Sequence, residues 1–297
     1  MMDNTKVTKV PDKKLQELKN ILTGYGKISV ALSGGVDSVF LLTFSCRVLG
    51  NENVSAITAT GPHFADDETD YAARLCDALH IRHKAVSMDG ILDVIGDNPP
   101  DRCYICKREI FSSLKELASS ENSILADGTN LDDMDDYRPG YRAITELGIS
   151  SPLKDAGLTK DEIRLSLESL AEEDSAIRQT LTIPSGDGKT MAIWEKPAFA
   201  CLASRIPYGE RLTEEKLTAV YKAENLLKEL GFRQIRVRHH GDVARIEVLP
   251  EDREKFFDTT FMDEVNEGIK ACGFKFAALD LAGYRMGNLN QQTVKRR

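Results

Sequence analysis

No apolar run in this chain reaches the length that a bilayer-crossing helix needs, which excludes a helical membrane span. The opening Met1-Met2-Asp3-Asn4-Thr5 is polar and lacks a leader-peptide core, so a cytoplasmic location is expected. Positive charge is in short supply: 39 Lys and Arg face 47 Asp and Glu, a formal net charge of −8. A broad nucleic-acid surface requires clustered cations, so a nucleic-acid partner is not expected, although a local basic pocket stays open. No internal repeat is visible. The six cysteines in 297 residues do not read as a disulfide framework in such a chain.

What is present is enough length for a sizeable core and two domains, with 41% apolar and 29% charged residues, the balance of a globular protein. The most informative stretch is Ser33-Gly34-Gly35-Val36-Asp37-Ser38. It follows the short apolar run Ile28 to Leu32 and leads into Val39-Phe40-Leu41-Leu42, so the order is strand, glycine turn, helix. Paired glycines let the backbone close on an anion, free N–H groups at the helix start point at it, and the Ser33 and Ser38 hydroxyls add donors. Asp37, and Asp127 after a later apolar run, are candidates to orient a nucleotide or its Mg2+. The lysine of the Walker pattern is missing. The stretch resembles the PP-loop of the ATP pyrophosphatase superfamily, which implies splitting of ATP into AMP and pyrophosphate to activate a substrate oxygen.

Helix 12–26, strand 28–32, helix 37–49, strand 54–60, a helix from Asp66-Asp67-Glu68 to about Leu79 and a strand near 83–87 alternate along the chain. That alternation predicts an α/β fold with a doubly wound, Rossmann-like parallel sheet, whose ligands sit beyond the carboxyl ends of the strands. Asn98-Pro99-Pro100-Asp101 interrupts the pattern, an amphipathic helix follows, and a strand is expected at 124–126. Residues 132–140 read as a polar irregular segment and 173–191 as a turn-rich excursion or mobile loop. From Thr213 the order is helix 213–230, strand 234–239, a Gly241-Asp242 turn, strand 243–249, helix 251–271 and strand 274–279. This predicts a second, smaller α+β domain, with a division into 1–200 and 201–297.

Cys46, Cys76 and Cys272 fall in helical patterns and read as small core residues. Cys103 and Cys106 form the one C-x-x-C, and Cys201 stands in an unusual loop. Arg236 and Arg238 alternate onto one face of a strand, where two guanidiniums can fork a phosphate. The adjacent His239 and His240 face opposite sides and are not expected to share a metal.

Over nearly its whole length the chain resembles the LarE family of ATP-dependent sulfur transferases, which mature the nickel-pincer nucleotide cofactor of lactate racemase. Besides Ser33–Ser38 and Asp127-Gly128, the resemblance is carried by Asp136-Tyr137-Arg138-Pro139-Gly140, Ser204-Arg205-Ile206-Pro207-Tyr208-Gly209, Arg236-Val237-Arg238, Ala244-Arg245-Ile246-Glu247 and Leu279-Asp280-Leu281. It implies that ATP adenylates a carboxylate of a pyridinium dicarboxylate mononucleotide, and that sulfur then replaces an oxygen to give a thiocarboxylate. It further implies that Arg236 and Arg238 hold the substrate phosphate; by position, Arg205 directly after the Cys201 loop is a candidate for the substrate or nucleotide phosphates, and Lys107 next to Cys106 for offsetting developing charge. Glu224 and Glu247 are implied to hold a cation, and the protein to be a homo-oligomer.

The sulfur source divides the family. Some members sacrifice one cysteine placed before Ser-Arg-x-Pro-Tyr-Gly, while others carry three and resemble cluster-dependent transferases. Cys103, Cys106 and Cys201 fit the second pattern, with three thiolates on a 4Fe-4S cluster and a fourth iron open to sulfide. A sacrificial or persulfidic Cys201 is the alternative. Zinc is weakened, because closed zinc sites take four ligands and no histidine lies near either segment in sequence, although folding can bring one in. Three other functions compete. A tRNA thiolase would need an RNA-binding module, and an amide-forming ligase of the NAD or GMP synthetase type would leave the three cysteines without a role. A nucleotide- and cluster-binding sensor would bind ATP without releasing pyrophosphate.

Overall fold

The computed structural model describes residues 10–64, 66–134, 139–185, 188–197 and 200–285. Its first two-thirds runs α1 (Asp12–Tyr25), β1 (Ile28–Ala31), α2 (Val36–Leu49), β2 (Val54–Thr60), α3 (Asp66–Ala78), β3 (Arg82–Ser87), α4 (Ile91–Ile95), α5 (Arg102–Ser120), β4 (Ile124–Ala126), α6 (Pro139–Glu146), α7 (Pro152–Asp155) and α8 (Lys160–Glu173). The strands form one parallel sheet in the order β3-β2-β1-β4, with Ile28 opposite both Val54 and Ile124. The chain winds outward through β2 and β3, then crosses back to add β4 on the other side of β1. Ligands of such sheets bind at that reversal, beyond the carboxyl ends of the two strands.

The central strand β1 is buried, so the Ser29 hydroxyl must find partners inside; it meets Ser55 Oγ at 2.8 Å and Ser123 Oγ at 2.5 Å. Thr159 and Glu162 close a reciprocal cap on α8, which fixes where that helix begins. One face of the sheet is sealed by α1, α2, α3 and α8 through Leu18, Phe40, Leu75 and Ile163. Against the other face lies α5, with Ile110 and Leu114 inward, and the apolar cluster there continues unbroken into the C-terminal segment.

Residues 173–191 differ from expectation. Asp174 caps a short α9 (Ser175–Thr180), and β5 (Thr182–Pro184) pairs antiparallel with β6 (Thr190–Ala192). Leu181 and Ile183 are buried in the first core, and these apolar anchors hold the segment down despite its polar sequence. Gly186 and Asp187 lie outside the described residues, as do Asp136, Tyr137 and Arg138.

The C-terminal unit comprises α10 (Glu214–Glu229), β7 (Ile235–His240), β8 (Val243–Val248), α11 (Thr259–Ala271) and β9 (Phe276–Leu279). β8 pairs antiparallel with β7 and parallel with β9, so the sheet is mixed. The helix expected over 251–271 is two elements. Pro250 opens a 3-10 stretch to Phe257, and Asp258 accepts from the Phe261 N–H at 3.1 Å to start α11 afresh. Leu217, Val220, Val237 and Ile269 of this unit share one core with Ile110 and Leu114 of α5.

Candidate functional site

The PP-loop leaves β1 and turns into α2 at the carboxyl edge of the sheet. Gly34 has φ +73°, and a Cβ there would stand 2.8 Å from the Glu68 carbonyl oxygen, so the turn admits only glycine. Within the loop Ser38 Oγ donates to the Gly35 carbonyl at 3.0 Å and accepts from the Ser33 N–H at 3.2 Å. Gly128, after β4, lies so close that a Cβ would come within 2.9 Å of the Ser38 nitrogen. Two expected nucleotide-site segments, far apart in sequence, are therefore in backbone contact.

The two aspartates differ in their settings. Asp127 is buried, and its oxygens accept from the Ser151 hydroxyl at 2.6 Å and from Thr129, which ties it into the loop wall. Asp37 is only half-buried, yet burial and then Asp133 push its carboxyl up to about 6, against Lys160, Arg164 and a hydrogen bond with Asn130. Lys160 pairs with Asp133 at 3.0 Å. Asn130, Asp133 and Lys160 went unread in the sequence because no spacing motif links them. Lys196 was missed for the same reason. Its ammonium reaches the Gly34 carbonyl at 3.4 Å and Glu68 Oε1 at 2.7 Å, so the cation absent from the loop's own sequence arrives from a distant segment.

The three singled-out cysteines converge at this same edge. Cys103 and Cys106 occupy the first turns of α5, Cys103 exposed and Cys106 buried. Arg102 beside them is buried; it donates to the Ala203 carbonyl at 3.0 Å and to Asn98. Asn98 in turn donates to the Ile206 and Pro207 carbonyls at 3.2 and 2.7 Å. These bonds stitch the Asn98-Pro99-Pro100 break to the loop that carries Cys201. Burial, then Cys201, then Cys103 push the Cys106 thiol up to about 12. Cys201 is exposed, as Cys103 is, although the groups packed around its sulfur raise its thiol.

A histidine completes the recess, brought in by folding. His63 follows β2, is 1% exposed, and places Nε2 3.4 Å from Cys106 Sγ, while its carbonyl accepts from Cys201 Sγ at 3.7 Å. Burial and then Arg102 hold its pKa down to about 4. Among the described residues no group of three His, Cys, Asp or Glu side chains is arranged to hold a single metal ion. The donor set does suit an iron-sulfur cluster: three cysteines share the recess, and binding to iron would deprotonate thiols that their surroundings otherwise keep neutral. Lys107 lays its aliphatic stem against Gly140, next to the Cys103 carbonyl, at the border of this recess.

Arg205, Arg236, Arg238, Glu224 and Glu247 gather in one cluster, but in roles that differ from expectation. Arg205 is fully buried, and its Nε and Nη2 meet the two Glu224 oxygens at 2.8 and 2.9 Å. Its Nη1 donates to the Ala200 and Cys201 carbonyls at 2.6 and 3.2 Å, so it clamps the cysteine loop instead of facing a phosphate. Glu247 takes Arg238 at 3.0 Å and Arg245 at 3.0 Å. The cation each glutamate meets is a guanidinium, because buried carboxylates and arginines neutralise each other when their elements pack. Arg238 also donates to the Ser204 carbonyl at 2.9 Å, while its buried Nε has no hydrogen-bond partner. Of the three arginines, Arg236 lines a cleft of about 640 Å3 whose wall mixes Arg74, Lys196, Lys228 and Arg233 with Asp67, Asp70, Glu224 and Glu229. Burial and then Arg205 lower its pKa, against Glu224, which holds it up.

Residues 13–110 match the family described as NAD synthase. An uncharacterized protein of Synechocystis is 36% identical over 286 residues, 96% of this chain and 99% of its own length. The pyridinium-3,5-bisthiocarboxylic acid mononucleotide synthase of Lactiplantibacillus plantarum is 36% identical over 271 residues, 91% of each chain. An uncharacterized protein of Methanocaldococcus jannaschii is 30% identical over 277 residues, 92% of this chain and 98% of its own.

Proposed function

Because this chain belongs to the LarE family, that of the pyridinium-3,5-bisthiocarboxylic acid mononucleotide synthases, we propose that it converts a carboxylate of a pyridinium dicarboxylate mononucleotide into a thiocarboxylate at the expense of ATP. The triphosphate lies on the PP-loop N–H groups at the start of α2, and Asp37, the less enclosed of the two aspartates, faces its Mg2+. The substrate carboxylate attacks the α-phosphorus, a new P–O bond forms, and pyrophosphate leaves with the electron pair of the broken bond. A carboxylate is a poor electrophile and its mixed anhydride with AMP a good one; a sulfur nucleophile at the acyl carbon then expels AMP. Arg236, at the wall of the cleft, takes the substrate phosphate.

A 4Fe-4S cluster on Cys103, Cys106 and Cys201 would supply that sulfur as sulfide at its fourth iron. The chain's own contribution is to hold the three sulfurs together: Arg102 and Arg205 both donate to backbone carbonyls of the Cys201 loop. The convergence of the C-x-x-C helix with Cys201 around His63 is the observation that carries this reading. The NAD synthase family model matches residues 13–110, a stretch that holds the PP-loop but not Cys201 or the C-terminal sheet, which supports shared ATP chemistry. Phe257, Phe276 and Leu281 are exposed on the C-terminal unit and support the homo-oligomer.

Anaerobic purification with an iron and labile-sulfide count tests it. About four of each per chain, lost in Cys103→Ala, is the expected result. Colourless protein after reconstitution, with mass lost at Cys201 on turnover, would replace the cluster by a sacrificial cysteine.

A further inference from the structure

His63 is the residue of the cysteine recess that no sequence motif marked. Its side chain touches Cys106 Sγ and its carbonyl touches Cys201 Sγ, so one residue bridges the two segments that supply the thiols. The ring is buried and packed against Phe64, with centroids 4.1 Å apart and planes tilted by 40°, which restricts its rotation. Nδ1 is buried as well and has no hydrogen-bond partner. A neutral imidazole carries one N–H, and two tautomers are available. With the proton on Nδ1, a donor would be stranded inside the protein; with it on Nε2, only an acceptor goes unpaired and the N–H points at sulfur. Buried orphan donors are the rarer of the two, so the second arrangement is favoured.

We propose that His63 is a positioning residue of the sulfur-transfer site, donating its Nε2–H to the Cys106 sulfur and holding that sulfur as an acceptor. This rests on the cluster reading above. A hydrogen bond to a ligand sulfur withdraws negative charge from it, which raises the reduction potential of a cluster and orients the ligand without adding a further iron bond. His63 would thus leave the fourth iron open while keeping Cys106 in place.

The test uses anaerobically reconstituted full-length protein with His63→Phe, which keeps a flat ring and removes the N–H, and His63→Gln, which restores an N–H at similar reach. Iron per chain and the midpoint potential of the cluster are read by EPR-monitored titration, with ATP binding as the control for folding. The expected result is wild-type iron in both variants, a lower midpoint potential in His63→Phe, and a return toward wild type in His63→Gln. Full iron with an unchanged potential in His63→Phe would overturn the proposal. Iron lost in both variants and restored by His63→Cys would also overturn it, by making His63 a ligand. Should the wild type hold no iron, the cluster reading fails separately, and 15N NMR of histidine-labelled protein still decides the contact. A neutral ring protonated at Nε2 supports the hydrogen bond; one protonated at Nδ1 overturns it.

Discussion

The PP-loop and the cysteine recess sit on the same edge of one sheet and are built in opposite ways. The PP-loop is made of near-consecutive residues that hold one another; Ser33, Gly35 and Ser38 bond among themselves. The recess is made of groups from three segments, the loop after β2, the start of α5 and the Cys201 loop, joined by long-range bonds. A local motif of the first kind tolerates change elsewhere in the chain. An assembled site of the second kind depends on every bond that holds its segments in register.

The sharpest way to break the comparison is to strike each region and read the other. Cys103→Ala and Cys201→Ala are expected to drop sulfur incorporation to background while ATP affinity, measured by calorimetry, stays at wild type. Thiocarboxylate formed by either variant would sink the three-thiolate site. Next in size is the Arg205–Glu224 pair. Leaving one buried charge without its partner costs about 3–5 kcal/mol, so Glu224→Gln should lower the unfolding midpoint strongly and loosen the Cys201 loop. Reconstituted iron falling with stability would show that the clamp holds the recess; iron unchanged would show that Arg102 suffices.

Gly34→Ala should cost about 1–3 kcal/mol, from the left-handed backbone and the close Glu68 carbonyl, and should abolish pyrophosphate release. Iron content should not move, and if it does, the two regions are not independent. The smallest effect is at Asp37. Its carboxyl is raised to about 6, so the folded state holds a proton that the unfolded chain releases at ordinary carboxylate pH. The stability this gives is complete below the unfolded value and is lost as pH rises through about 6. Asp37→Asn should therefore be more stable than wild type by about 1–2 kcal/mol at neutral pH, with the gap closing below about pH 4, while pyrophosphate release falls. Chemical denaturation at three pH values measures this; an inverted gap would place Asp37 in a stabilising ion pair.

The α/β alternation could be read in the sequence because parallel strands buried on both faces are short apolar runs, and Val54–Thr60 was legible to the residue. The break in 251–271 was not, because an apolar period continues across Asp258 and only its side-chain cap divides the helix. The hairpin at 182–192 was hidden for a related reason: Leu181 and Ile183 anchor it, but two apolar residues make no pattern. In the candidate site, residue types were legible and partners were not. Arg205, Arg238, Glu224 and Glu247 were singled out for anions and cations from outside, and packing paired them with each other or with neighbours.

The sequence by itself determined the nucleotide cradle and the winding of the sheet, because both depend on contacts between near neighbours and on strand and helix periods. Tertiary structure alone decided which charges remain available to a ligand and that His63 and Lys196 join the site. Those outcomes depend on distances between segments far apart in the chain, which no local period encodes.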